Sequence, residues 1–187
     1  MCGIAGIIAF NDEGKSYLSK ISAATYALLK RGPDGEGLYF DKNCALGHRR
    51  LSIIDTSNAA SQPFTDYTGR YTIVFNGELF NYKLLRKELE NKSVHFKSQS
   101  DTEVLLYLYI AHQELCLNML DGEFAFTIYD KEKETLFIAR DRFGIKPLYY
   151  YQDENRFVFA SEMKGIIEFD IPKEIDKTTL QTYFHLN

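Results

Sequence analysis

The chain has 187 residues, 45% of them hydrophobic and 26% charged, with a formal net charge of -4. That length fits one domain able to bury a proper core, and charges of both signs are interspersed, so nothing predicts nucleic-acid binding. The longest apolar run, Val104 to Ala111, is far shorter than the ~20 residues a membrane-spanning helix needs. Met1 to Phe10 is apolar, but it has no basic segment before it and no small-residue cleavage site after it, so no secretory signal is expected. Three widely spaced cysteines, Cys2, Cys44 and Cys116, argue against a disulfide framework or a zinc site and point to a reducing, cytoplasmic setting.

In chain order, Gly3 to Phe10 reads as a buried strand of small residues. Tyr17, Ile21, Ala24 and Leu28 recur at helical spacing and predict a helix from about Tyr17 to Lys30. Arg31-Gly32-Pro33-Asp34 breaks it, as a turn or as a mobile loop over a site. Short strands follow near Gly37 to Phe40, near Ala45 to Ile54 and from Tyr71 to Phe75. Asn81 is placed to cap a helix carrying Tyr82, Leu85 and Leu89 on one face. Ser100-Asp101-Thr102-Glu103 has the form of a capping box and opens a second helix towards Gln113. Glu123 to Tyr129, Thr135 to Arg140, Leu148 to Tyr151 and Arg156 to Ala160 read as four antiparallel strands. Several are apolar on both faces, which implies sheets covered on both sides, a layered α+β sandwich. A short helix is expected near Lys177 to Phe184.

The chemistry starts at Cys2. A cysteine there is either a small buried residue or, once Met1 is removed, an N-terminal nucleophile. A free α-amine on the same residue has a pKa of ~8, close enough to neutrality to take the thiol proton. Such a mechanism needs an oxyanion hole and groups that hold a polar substrate. Asn76-Gly77 is either a hairpin turn or a pair of donors, side-chain amide and backbone N–H, for the oxyanion. Glu78 is placed to neutralise a substrate ammonium. Asp101 is either a partner of the helix dipole or a second carboxylate for that ammonium. One of Arg49 and Arg50 is suited to grip a carboxylate bidentately. An arginine, two carboxylates and an oxyanion hole around a thiol match the groups of glutamine.

These segments, in this order, resemble the class II glutamine amidotransferases. The matches are CGIAG at Cys2 to Gly6, RGPD at Arg31 to Asp34, GHRRLSIID at Gly47 to Asp55, NGE at Asn76 to Glu78 and SDTE at Ser100 to Glu103. DGEFAF at Asp121 to Phe126, RDRFGIKPLYY at Arg140 to Tyr150 and SEMKGI at Ser161 to Ile166 complete the set. Within that family the RGPD, GHRRLSIID, RDRFGIKPLYY and SEMKGI segments look like the asparagine synthetase branch.

The resemblance implies an N-terminal nucleophile hydrolase fold, with two antiparallel sheets stacked between helical layers. It implies Cys2 as nucleophile with its own amine as base, and Asn76 and Gly77 as the oxyanion hole. Arg50 would hold the glutamine carboxylate, Glu78 and Asp101 the ammonium, and the backbone around Ile53 and Ile54 would complete the pocket. Residues 1–187 would be one amidotransferase domain, cut before a C-terminal ATP-dependent synthetase domain. The chain has no SGG-x-DS loop, so no cofactor is expected here; ATP and Mg would belong to that further domain. The partners implied are L-glutamine and the synthetase domain, with a homodimer left open and neither membrane nor nucleic acid expected. Three alternatives stay open: an asparagine synthetase-like protein with another ammonia acceptor, an N-terminal nucleophile amidase for another amide, and a silent binding or assembly module if Met1 is retained.

Overall fold

The computed structural model describes residues 1–51 and 58–186. Two antiparallel sheets form the centre. The first has five strands in the order β2-β3-β1-β9-β8: β1 Gly3–Ala9, β2 Gly35–Phe40, β3 Cys44–Arg50, β8 Tyr149–Gln152 and β9 Arg156–Ala160. The second has four in the order β4-β5-β6-β7: β4 Phe64–Thr65, β5 Tyr71–Leu79, β6 Gly122–Asp130 and β7 Thr135–Arg140.

Side-chain alternation along the strands explains the layering. On the inner faces Ile4, Ile8 and Leu46 of the first sheet meet Val74, Ala125 and Tyr129 of the second in one apolar cluster. The alternate residues face outwards. Ala5, Ile7, Ala45 and Val158 pack on Ile21, Ala24, Leu28 and Ile166, which belong to or adjoin helices α2 (Ile21–Ala27) and α5 (Met163–Ile167). Ile73, Phe75, Phe126 and Ile128 pack on Leu85, Leu89, Val104 and Leu108 of helices α3 (Tyr82–Asn91) and α4 (Asp101–His112). The result is four layers, helix–sheet–sheet–helix, as the two-sided apolar strands predict. Two further helices, α1 (Asp12–Lys15) and α6 (Lys177–Leu186), lie outside these contacts.

Several local expectations are corrected. The helix predicted from Tyr17 is a 3-10 turn over Leu18–Lys20 followed by α2, which ends early in i→i+3 bonds from Leu28 and Leu29 to Thr25 and Tyr26. Asn81 stands at the N-cap of α3, its carbonyl accepting from Leu84 and Leu85 N, but its side chain makes no capping bond. Its amide donates to the Met119 carbonyl at 2.8 Å and accepts from Asp121 N at 3.2 Å. Half of the capping box forms: Ser100 Oγ accepts from Glu103 N. Glu103 instead receives Lys97 N, Ser98 N and the Ser98 hydroxyl. The strand predicted to stop at Phe75 continues to Leu79, because Asn76 to Leu79 pair with Ala125 to Gly122 of β6. Asn76-Gly77 is therefore strand, not turn.

The last four strands do not form one sheet. β6 and β7 belong to the second, β8 and β9 to the first. The chain crosses between them through residues 141–148, a loop built on Asp141. Its carboxylate accepts the N–H groups of Phe124, Phe143, Ile145 and Lys146. Gly144 takes a φ of +65°, and any Cβ there would strike the Arg140 guanidinium at 2.7 Å.

Candidate active site

The inner faces of the two sheets change character at one end. Cys2 continues the alternation of Ile4 and Ile8, and the register Gly3↔Arg49 sets it opposite Arg50. His48 and Arg50 continue that of Leu46, and Asn76 and Glu78 that of Val74. Strand parity thus carries the polar set to one mouth. Arg49 has the other parity. It is buried and paired with Glu36, while Arg50 lines the cavity with Nη1 3.5 Å from Ser61 Oγ. The choice between the two arginines is a consequence of alternation.

The cavity has a volume of about 140 Å³, room for about five waters at ~30 Å³ each. Cys2, Arg50, Asn76, Gly77, Glu78 and Asp101 all line it. Ile53 and Ile54 lie outside the described residues. Leu51 N donates to Cys2 Sγ at 3.4 Å, and the thiol lies 3.7 Å from the Leu51 carbonyl. Burial pushes the thiol above its usual range, with Asp101 adding to the effect; the Leu51 N–H, the chain's terminal amine and Arg50 pull the other way without prevailing.

The second wall is the edge of β5. β4 covers this strand only at Ile73 and Thr72, so the edge beyond is open to α4. Phe75 N donates to Gln62 Oε1 at 2.6 Å and Leu79 N to Asp101 Oδ2 at 3.1 Å. N–H directions alternate along a strand, so Gly77, midway between them, also points away from β6. Its register partner Phe124 agrees, exchanging hydrogen bonds with Asp141 rather than with Gly77. A side chain on Gly77 would meet Glu123 O at 2.4 Å and Phe124 Cα at 2.8 Å. The glycine is required by the neighbouring strand, not by close approach of a substrate. Beside it, Asn76 is 1% exposed and its Nδ2 has no hydrogen-bond partner among the described residues. A buried unpaired donor costs about 1–3 kcal/mol.

Asp101 begins α4 and is buried. Burial pushes its carboxyl up to about 6, with Glu78 contributing in the same direction and the Leu79 and Thr102 N–H groups opposing. Arg31, of the RGPD segment, lies in a turn that holds the Cys2 backbone in place. Its Nε donates to the Cys2 carbonyl at 2.8 Å and its Nη1 pairs with Glu162 at 3.2 Å. Ser161, of SEMKGI, is buried and exchanges two hydrogen bonds with the Ile4 backbone.

Sequence reasoning gave no role to several wall residues, among them Gln62, Thr102, Lys146 and His48. Gln62 carries no local signal, whereas Thr102 and His48 lie within the SDTE and GHRRLSIID segments. Lys146 lies within a motif already singled out and pairs with Glu123 at 3.0 Å. His48 is 1% exposed, and burial pushes its imidazole down to about 3, so it is neutral at physiological pH. Among the described residues no group of three His, Cys, Asp or Glu side chains is set to hold a metal, and no helix is long and apolar enough to cross a membrane.

Two antiparallel sheets between helices, with a thiol at residue 2 opening onto the end of the inter-sheet seam, define the N-terminal nucleophile hydrolase class. Within that class the chain belongs to the glutamine amidotransferase domain family, whose model matches residues 1–187. It is 40% identical over its whole length to asparagine synthetase [glutamine-hydrolyzing] 3 of Bacillus subtilis, and covers 31% of that protein. It is 36% identical over 93% of its length to the amidase chry2 of Gibberella zeae, covering 27% of it. Among solved structures it superposes on a glutamine phosphoribosylpyrophosphate amidotransferase from B. subtilis with a TM-score of 0.72 and 25% identity, over 90% of this chain and 44% of that one. The chain thus spans about a third of the length of the curated relatives it matches.

Proposed function

We propose that the chain, once Met1 is removed, hydrolyses L-glutamine to glutamate and ammonia through a γ-glutamyl thioester on Cys2. The observation that carries this reading is the juxtaposition of the thiol with two donors lacking partners from the neighbouring strand, Asn76 Nδ2 and the Gly77 N–H, in one cavity. The thiol as it stands is held protonated by burial, so attack needs a base, and the α-amine freed on Cys2 supplies it. The amine takes the thiol proton and the sulfur attacks the carboxamide carbon. The oxyanion is held by Asn76 and Gly77. The ammonium returns its proton to the leaving nitrogen, and ammonia departs. A water, deprotonated by the same amine, then attacks the thioester, and glutamate leaves as the thiol is restored.

Arg50 binds the glutamine α-carboxylate, and Glu78 and Asp101 bind the α-ammonium. Both carboxylates line the cavity, and Arg50 lies across it on the other sheet. In a longer chain of the kind its relatives form, the ammonia would amidate aspartate at an ATP-dependent synthetase domain in the cytoplasm. The likeness to the asparagine synthetases supports that acceptor. The likeness to an amidase favours, as a second reading, the same half-reaction feeding a different acceptor.

Intact mass combined with a glutaminase assay tests the proposal. Turnover should scale with the fraction of chains lacking Met1, and Cys2→Ala should abolish it without loss of fold. Hydrolysis by chains that retain Met1, or full activity of Cys2→Ala, overturns the mechanism.

A further inference from the structure

Three N–H groups face the open edge of β5: those of Phe75, Gly77 and Leu79. The outer two are taken up by side chains from elsewhere in the chain, Gln62 Oε1 at 2.6 Å and Asp101 Oδ2 at 3.1 Å. The middle one is left facing the cavity. Asp101 already has a place in substrate binding; Gln62 does not. Gln62 is 8% exposed, lines the cavity, and makes a second link: its Nε2 donates to Thr102 Oγ1 at 3.1 Å. Thr102 follows Asp101 in the first turn of α4. One carboxamide therefore ties the β5 edge to the start of α4, across the gap in which Gly77 lies.

Two properties separate this from ordinary core packing. First, among the described residues no strand lies beside the edge at this point, since β4 pairs there only with Ile73 and Thr72. Without Gln62 the Phe75 N–H would be buried and unpaired, and the β5 edge would be free to shift. Second, both links end next to groups placed in the reaction: Phe75 precedes Asn76, and Thr102 follows Asp101.

We infer that Gln62 is a positioning residue for glutamine hydrolysis, holding the β5 edge and the α4 N-terminus at the separation that aims Asn76 Nδ2 and the Gly77 N–H at the substrate oxygen. The inference rests on the reading of Asn76 and Gly77 as the oxyanion hole. Gln62 touches no reacting atom. It acts on the transition state through the donors it aligns, so its loss lowers kcat and leaves KM nearly unchanged.

The test uses the Met1-processed chain and four variants: Gln62→Met, Thr102→Val, Thr102→Ser and Asn76→Ala. Fold is checked by circular dichroism, and the thiol by its rate of alkylation with iodoacetamide, which needs no oxyanion hole. For Gln62→Met we expect kcat to fall about tenfold to a hundredfold with KM within about threefold, and an unchanged alkylation rate. Thr102→Val should lower kcat less, in the same sense, and Thr102→Ser should restore it. If Gln62→Met does not fold, the Thr102 pair decides. A folded Gln62→Met, or a Thr102→Val, that keeps full kcat while Asn76→Ala loses it overturns the inference and leaves the proposed function standing. An Asn76→Ala variant with full kcat overturns the oxyanion-hole reading itself.

Discussion

The two ends of strand β5 are built from similar residue types and behave in opposite ways. At the far end, near Tyr71, polar groups satisfy one another. Arg70 grips Asp130 with two hydrogen bonds of 2.9 and 2.7 Å, Asp130 also accepts the N–H groups of Glu132 and Lys133, and the buried Tyr129 hydroxyl donates to Asn43 at 2.9 Å. At the near end, Asn76 Nδ2 and the His48 ring nitrogens have no well-formed partner among the described residues, and Asp101 is buried with a raised carboxyl. Both ends are polar and partly buried, so polarity does not distinguish scaffold from site. At these two ends completeness of pairing does, although it is no general marker, since Arg49 Nε, Thr127 Oγ1 and two nitrogens of Arg156 also lack hydrogen-bond partners among the described residues, away from the cavity. Here the closed network stabilises the fold, and the incomplete one leaves donors and charges along a cavity.

The largest effect expected from this contrast is at Asn76. Asn76→Ala should reduce kcat for glutamine by about 10²–10³, while its thermal midpoint stays unchanged or rises, because a buried unpaired donor has been removed. A large loss of stability would mean that the amide serves the scaffold.

Asp101 comes next, and its pH dependence has a definite sign. Its folded value of about 6 lies above the ordinary 3.8, so between the two the folded state binds the extra proton. Stability therefore falls as pH rises through that window, and the full cost persists above it. Asp101→Asn should raise the thermal midpoint at pH 7.5 more than at pH 4, and raise KM for glutamine by about tenfold or more. In the unsubstituted chain KM should climb as pH falls below about 6, and Asp101→Asn should flatten that rise.

Asp130 should show the opposite sign. Burial pushes this carboxyl up, but Arg70 and the Lys133 and Glu132 N–H groups outweigh it and hold it below the usual range. Its contribution is present above the ordinary carboxylate value and lost as pH falls through the folded one. Asp130→Ala should lower the thermal midpoint at neutral pH by several degrees, less in acid, with kcat and KM unchanged. Smallest is Tyr129→Phe, expected to cost about 1 kcal/mol of stability and nothing in turnover. A catalytic effect of either far-end substitution would break the contrast.

Much of this was legible in the residues. Apolar spacing marks the strands and most of the helices, and two-sided apolar strands imply four layers. The set of cavity residues was legible because a thiol, an arginine, two carboxylates and an Asn-Gly pair together match the groups of one small molecule, and all of them line one cavity. Asn76-Gly77 shows why local signals fail: in isolation the pair favours a turn, but pairing with Ala125 and Phe124 overrides that preference. Gln62 shows a second limit. Its partners, Phe75 and Thr102, are distant in the chain and contribute a backbone N–H and a hydroxyl, groups that leave no pattern around residue 62. The division of the last four strands between two sheets was hidden for a related reason, since sheet membership is decided by pairings as remote as Ala5 with Ala160.

That last pairing has a consequence for the order in which the molecule becomes reactive. β1 lies in the middle of its sheet, between β3 and β9. Both edges of β1 are therefore filled only when β9, far along the chain, is in place. Contacts so far apart in sequence are slow to form, because a long stretch of chain must be closed first. The Ser161 links to Ile4 and the Glu162 partner of Arg31, which brace the residues around Cys2, come from the far side of the same closure. The surroundings of Cys2 thus depend on a long-range closure, so a chain damaged within β9 should keep the thiol and lose the turnover proposed above.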